Sequence, residues 1–334
     1  MTIATISRLG RRHALGLTAA AALAAPAIGQ RARVLRFGTP VPADTTYHQA
    51  LLMFAEDVGK MSGGKIKVEA YPAGQLGTIK EMLTNVQLGT QAIAAAVPAW
   101  YSNYVKPMDV FTLPFLVASP EKLRAAVDGP FGARMKAMME PAEFKIIGTW
   151  LIGARHIVTG SKLVRTPADL AGLKMRVIAS QVYIQAFRAL GASPVALDPA
   201  EIYLALQQKV VDGLEYPLPD LVSVKMYEVA KFVTLDNHVT DVFFLAMNRG
   251  LWNGFGKEEQ DIITEAMRKS NDWQWKAQPE AIETATQKLR GLMTVTDLTP
   301  AERQQFIDAT RPVYQQFEAS IGKDVIEEAI RALS

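Results

Sequence analysis

Two short apolar segments with a helix between them set the architecture of this chain. In "LKMRVI" (173–178), Leu173, Met175 and Val177 alternate with Lys174, Arg176 and Ile178, the two-residue period of a strand with an apolar face. "PVAL" (194–197) reads as a second strand, and Tyr183, Phe187 and Leu190 between them fall on one helical face. A strand, a crossover helix and a strand form a parallel pair with the helix packed across the sheet. The first strand is then an inner one, and it carries an arginine, Arg176, near its C-terminal end.

The same alternation runs through most of the chain and predicts an α/β fold. "VLRFGTP" (34–40), "KIKVEAY" (65–71), "AIAAAV" (92–97) and "DVFFLAMN" (241–248) read as strands. Leu51, Phe54, Ala55, Val58 and Met61 share a helical face. Thr78 to Glu81 is a capping box for a helix ending at Gly89. Asp198-Pro199-Ala200-Glu201 opens another helix with an N-cap, a first-turn proline and an acid. A long helical stretch runs from Lys257 towards Leu292, interrupted at Pro279, and helices over 300–318 and 322–333 close the chain. The helices opened by Thr78 and Asp198 share Glu81/Glu201, Val86/Leu206 and Gln87/Gln207 at an offset of 120 (201 − 81). That echo implies two lobes of similar build. No low-complexity linker separates them, so the chain should cross between them more than once.

The first thirty residues read as a leader. Arg11-Arg12 precedes the apolar run Ala14 to Ala25, and small residues Ala27 and Gly29 follow. Twelve residues fall short of the roughly 20 that span a bilayer as a helix. A cleavable signal peptide over 1–30 is expected, with export to the periplasm by the twin-arginine or the general secretory route. The leader holds Arg8, Arg11 and Arg12 and no acid, so 36 − 3 = 33 basic residues remain against 33 acidic ones. A neutral mature chain gives no basic patch for nucleic acid, and no second long apolar run predicts membrane insertion. With 49% apolar residues the chain can bury a large core. The absence of cysteine excludes disulfides, thiolate metal sites and a cysteine nucleophile.

Motifs of catalysis are scarce. His48, His156 and His238 do not pair at helical metal spacing, and no H-E-x-x-H, G-x-S-x-G or G-x-G-x-x-G is present. "GKMSGGKI" (59–66) matches part of a phosphate loop, but Ile66 stands where Ser or Thr is needed, and the segment follows a helix and precedes a strand. It reads as a helix stop and turn. No cofactor and no metal are expected. What remains is Arg155, Arg176, Trp100, Tyr101 and Tyr216, each at or just past the C-terminal end of a strand. Ligands of open α/β sheets bind at those ends, and an arginine fork pairs bidentately with a carboxylate. Read singly, Arg176 could be an edge or snorkelling residue, Trp100 and Tyr216 core or rim aromatics, Glu215 an ion-pair partner of one arginine, and His238 a turn residue.

The ordered series "YPAGQLG", "VQLGT", "VFTLPFL", "GLKMRV", "ALGASPVAL" and "EIYLALQQKVVDGLEYPL" resembles the substrate-binding proteins of TRAP transporters, the DctP-like family. The resemblance covers nearly the whole mature chain. It implies a periplasmic-binding-protein-like fold with two α/β lobes, crossover strands and a long helix spanning both. It also implies a receptor that captures a carboxylate between the lobes and delivers it to a permease of small and large membrane subunits. The lobes would be 33–152 with 242–280, and 153–241 with 281–334. Arg176 matches the family's arginine that pairs with the substrate carboxylate, and Arg155 matches a second, supporting arginine. The family's "GQENP" is "GLEYP" here, and Pro40, Val97, Trp100 and Ala179 are apolar where relatives that bind polyhydroxylated acids carry polar residues. These departures imply an aliphatic or aromatic monocarboxylate walled by Trp100, Tyr216, Val97 and Pro40. Some relatives hold a bridging cation on the glutamate matching Glu215; a direct contact is expected here. The alternatives are a secreted enzyme acting on a small carboxylate, with Glu215 or His48 as base, and a ligand-sensing partner of a membrane regulator. No nucleophile–base–orienter set is visible for the first.

Overall fold

A computed structural model describes residues 32–334; the leader expected over 1–30 lies outside the described residues. The strands are β1 (Arg33–Gly38), β2 (Ile66–Tyr71), β3 (Ile93–Ala96), β4 (Phe144–Thr159), β5 (Lys174–Val177), β6 (Ser193–Ala196), β7 (Gly213–Pro217), β8 (Phe232–Asn248) and β9 (Thr294–Asp297). They join edge to edge in the order β2-β1-β3-β8-β4-β7-β5-β6, with β9 also beside β8.

The parallel pairs are those the spacing demands. β1 and β2 are linked by the helix Thr46–Met61, capped by Thr45, which buries Tyr47, Leu51, Phe54 and Val58. β5 and β6 are linked by Gln181–Ala189, which buries Val182, Tyr183, Ala186 and Phe187. Arg176 is therefore on an inner strand, between β6 and β7. The expected helix stop at 59–66 is a turn in which Gly63 and Gly64 take positive φ.

The two long antiparallel strands belong to both halves of the molecule. β4 and β8 pair from Phe144/Asn248 to Thr159/Phe232. The C-terminal part of β8 also pairs with β3, and its N-terminal part with β9; the C-terminal part of β4 pairs with β7. The result is a two-lobed α/β fold of the periplasmic-binding-protein type, joined by paired crossover strands. β8 starts at Phe232, earlier than the expected 241–248, because Asp236, His238 and Asp241 interrupt the apolar alternation. All three are buried. The β4–β8 register shifts at Ile146/Gly148, Leu151/Gly153 and Arg155/Ile157.

The helix Lys257–Leu292 is unbroken, although Pro279 lies inside it. Proline deprives only one preceding carbonyl of its donor, and side chains just before it fix the helix to β4. Gln274 donates to Leu151 O and accepts from Leu151 N, both at 2.8 Å. Gln278 donates to Ile152 O and to Tyr47 Oη at 2.9 Å, and Trp275 Nε1 donates to Thr149 O at 2.9 Å. No described helix is long and apolar enough to cross a membrane.

The last helix, Lys323–Leu333, follows the helix Pro300–Ile321. Its apolar face, Val325, Ile326, Ala329 and Leu333, packs on the helices Pro120–Asp128 and Pro130–Met139. Arg134 pairs with Asp324 and Glu328 across that contact.

Candidate functional site

The C-terminal ends of β1, β3, β5 and β7 converge on an inner cavity of about 50 Å³, which opens into an outer cleft of about 460 Å³. β1 leads to Pro40 and Val41; β3 leads to Val97 and Trp100; β5 supplies Arg176 and Ile178; β7 supplies Tyr216 and Pro217. The crossover strands add Ile152, Arg155 and Phe243. The outer cleft lies between the two helix starts that echo each other in sequence, Thr78-Ile79 on one side and Asp198-Pro199 on the other. Both are capping boxes.

Arg176 is 1% exposed. Its Nε and Nη2 donate to Leu197 O, just past β6, at 3.0 and 2.8 Å. That grip fixes the guanidinium plane. Nη1 is buried, has no hydrogen-bond partner, and lies 3.7 Å from Glu215 Oε1. Burial lowers the pKa of Arg176, with Glu215 opposing that shift.

Arg155 is held differently. Its Nε donates to Glu215 Oε2, its Nη1 to Asp241 Oδ2 at 3.2 Å, and its Nη2 to Glu215 O at 3.3 Å. The rings of Tyr183 and Tyr216 stand 5.7 and 5.8 Å from the guanidinium carbon. Burial opposes its charge, but Glu215, Tyr183 and Asp241 together raise its pKa.

Glu215 sits behind both arginines and is fully buried. Burial alone would raise its pKa; Arg155, His238 and Arg176 bring it down to about 2. His238 lies 3.7 Å from Glu215 through Nε2, and its Nδ1 meets Asp236 Oδ2 at 2.8 Å. Burial works against the imidazolium, and Asp236 with Glu215 more than offsets it, raising His238 to about 9. His156, 4.0 Å from Asp236, is lowered by burial to about 4 and stays neutral.

The structure thus brings Arg176, Arg155, Tyr216, Trp100, Val97 and Pro40 to one cavity. Glu215 is not in the lining but pairs with both arginines rather than one. Ala179 is not in the lining either. Ile178 is, because residues two apart on a strand end share a face and Arg176 already points into the cavity. His48 lies outside the lining, on the helix Thr46–Met61. His238, expected at a turn, is instead a buried member of the charge network inside β8. Sequence reasoning missed several apolar lining residues, among them Val41, Ile152 and Phe243, and one charged one, Asp220, on the short helix Leu218–Ser223. Its one signal was an acid inside the otherwise apolar "YPLPDLV".

Comparison with known proteins shows the family and the fold. The sequence profile DctP, of the bacterial extracellular solute-binding proteins, family 7, matches residues 37–320. The C4-dicarboxylate-binding periplasmic protein DctP of Rhodobacter capsulatus is 31% identical over 308 residues, 91% of this chain and 92% of that one. The sugar acid binding protein of Advenella mimigardefordensis, solved with galactonate, superposes with a TM-score of 0.88 at 29% identity, covering 90% of this chain and 98% of that one. A TRAP periplasmic solute-binding protein of Shewanella oneidensis, solved with succinate, gives a TM-score of 0.87 at 29% identity, covering 91% and 100%.

Proposed function

Since this chain belongs to the DctP family of bacterial extracellular solute-binding proteins, we propose that it is the periplasmic receptor of a TRAP transporter for a monocarboxylate of largely apolar body. The acid sits between the lobes with its carboxylate on Arg176, and the receptor delivers it to the small and large membrane subunits of the permease. The observation that carries this reading is that Arg176, a residue of the cavity lining, keeps a buried Nη1 with no hydrogen-bond partner. A buried N–H without an acceptor is rare in folded proteins, and a carboxylate oxygen satisfies it with a charge-assisted bond.

Two features favour one carboxylate over two. Each nitrogen of Arg155 already has a protein acceptor, so Arg155 supports the site electrostatically. Asp220 puts an acid in the lining, which repels a second anionic group. Pro40, Val97, Trp100 and Ile178 supply apolar walls around the body of the solute. A bridging cation at Glu215 is disfavoured, because Arg155, Arg176 and His238 already surround that carboxylate. We place the lobe boundaries at 33–152 with 242–280 and at 153–241 with 281–322, the final helix going with the first lobe.

The test is a thermal-shift and calorimetric screen over aliphatic and aromatic monocarboxylates, with succinate and galactonate as comparators. A ligand at 100-fold excess over its Kd stabilises by about 2.7 kcal/mol. No response to any carboxylate refutes the reading. Tighter binding of succinate, or of the polyhydroxylated galactonate, than of every aliphatic or aromatic monocarboxylate refutes its specificity.

A further inference from the structure

We propose that Asp220 is a second ligand contact, and that the acid this receptor holds carries a hydrogen-bond donor, a hydroxyl or an amine, on the part of the molecule remote from its carboxylate. The inference rests on the reading that Arg176 takes the carboxylate, and it adds the chemistry of the other end.

Asp220 is 7% exposed, and its Oδ1 is buried without a hydrogen-bond partner. It lines the inner cavity together with Pro40, Trp100 and Tyr216, and it also lines the outer cleft. The two arginines line only the inner cavity. A solute anchored on Arg176 and extending towards the cleft therefore passes Asp220. Of the other residues that line both, Pro40, Val41, Ile79 and Pro199 are apolar and Tyr216 is a phenol, while Thr78, Glu81 and Asp198 line only the outer cleft. A carboxylate oxygen buried in such surroundings with no donor is an uncompensated desolvation. The charged and titratable groups that act on it are Arg155 of β4, Tyr47 of the helix Thr46–Met61 and Asp241 of β8. Burial lifts Asp220 to about 7 against the pull of Arg155 and Tyr47. Oδ1 receives no hydrogen bond from the protein, and a donor on the solute supplies what the protein leaves out. The position also separates solutes of equal length, since an alkyl end there strands the acid while a hydroxyl or ammonium satisfies it.

The experiment is calorimetry on the receptor with matched acids: butyrate against γ-hydroxybutyrate and γ-aminobutyrate, their longer homologues with the donor on the δ or ε carbon, and phenylacetate against para-hydroxyphenylacetate. At least one donor-bearing acid should bind about tenfold or more tightly than its parent, a difference of about 1.4 kcal/mol. That ratio should fall to near one in Asp220→Leu. Asp220→Asn, which keeps the shape and an acceptor, should retain a hydroxyl preference and lose an amine preference. This second variant decides the matter if the leucine variant does not fold. The proposal is overturned if every parent acid binds as tightly as its donor-bearing partners, or if the preference survives in Asp220→Leu. If donor-free acids bind through Arg176 with no such preference, only this inference falls. If no acid of either kind binds, the carboxylate reading falls and takes it along.

Discussion

Arg176 Nη1 and Glu215 Oε1 stand 3.7 Å apart, each buried and each without a hydrogen bond. They neutralise one another's charge without using up the donor. The guanidinium keeps its plane through Leu197 O, and its remaining nitrogen, Nη1, has no hydrogen-bond partner in the protein. An anchor built this way is charged, immobile and vacant at one atom, which is what recognition of a carboxylate requires.

Replacing Arg176 by alanine should lower affinity for the bound acid by about 2–5 kcal/mol, since one member of a buried charged pair is removed. Arg176→Lys should rescue little, because an ammonium cannot both hold Leu197 O through two nitrogens and present a third. Calorimetry with the best acid from the screen reads both variants. Unchanged affinity in Arg176→Ala would show that the carboxylate sits elsewhere.

Glu215→Leu should destabilise the fold by about 3–5 kcal/mol, the usual consequence of removing one partner of a buried charge pair. Arg155, Arg176 and His238 would face one another without their shared counter-charge. Urea denaturation of the ligand-free protein measures the loss. A midpoint close to wild type would mean that the arginines do not depend on this carboxylate.

The raised pKa of His238 makes a signed prediction. Its value goes from an ordinary 6.5 to about 9, so the folded state holds a proton that the unfolded chain gives up sooner. The stability it contributes is full below pH 6.5 and is lost as the pH rises through about 9. Stability measured across that window should fall in the wild type and fall less in His238→Asn. Parallel curves for the two proteins would contradict the assignment.

Gly153 has φ +106°, and a Cβ there would stand 2.6 Å from Ile282 Cδ1 of the spanning helix. Gly153→Ala should cost about 1–3 kcal/mol through backbone strain, with Ile282 forced to move. A lower melting temperature checks this; an unchanged one would show that the crossing accommodates the methyl group.

Local periodicity made most of this molecule legible. The strand around Arg176, its crossover helix and the capping boxes at Thr78 and Asp198 follow from patterns a few residues long, and they stand where the spacing put them. What escaped depends on partners far away in sequence. "LDNHVTD" looks like a turn because it is polar, yet its acids and histidine are buried against Glu215, Arg155 and His156. Pro279 looks like a break because the glutamines that tie its helix to β4 read as surface residues in a one-dimensional pattern. Asp220 draws no reading in the sequence, because its unpartnered oxygen and its place in the cavity lining depend on the fold.

The glutamine contacts on β4 also bear on how the molecule moves. Gln274 and Gln278 grip the backbone at Leu151 and Ile152, beside the register shift at Leu151/Gly153. Two hydrogen-bonded strands strapped to a rigid rod resist stretching and sliding, and yield most easily in torsion where the ladder is irregular. The crossing is therefore least constrained in torsion at its register shifts and most constrained along the strands.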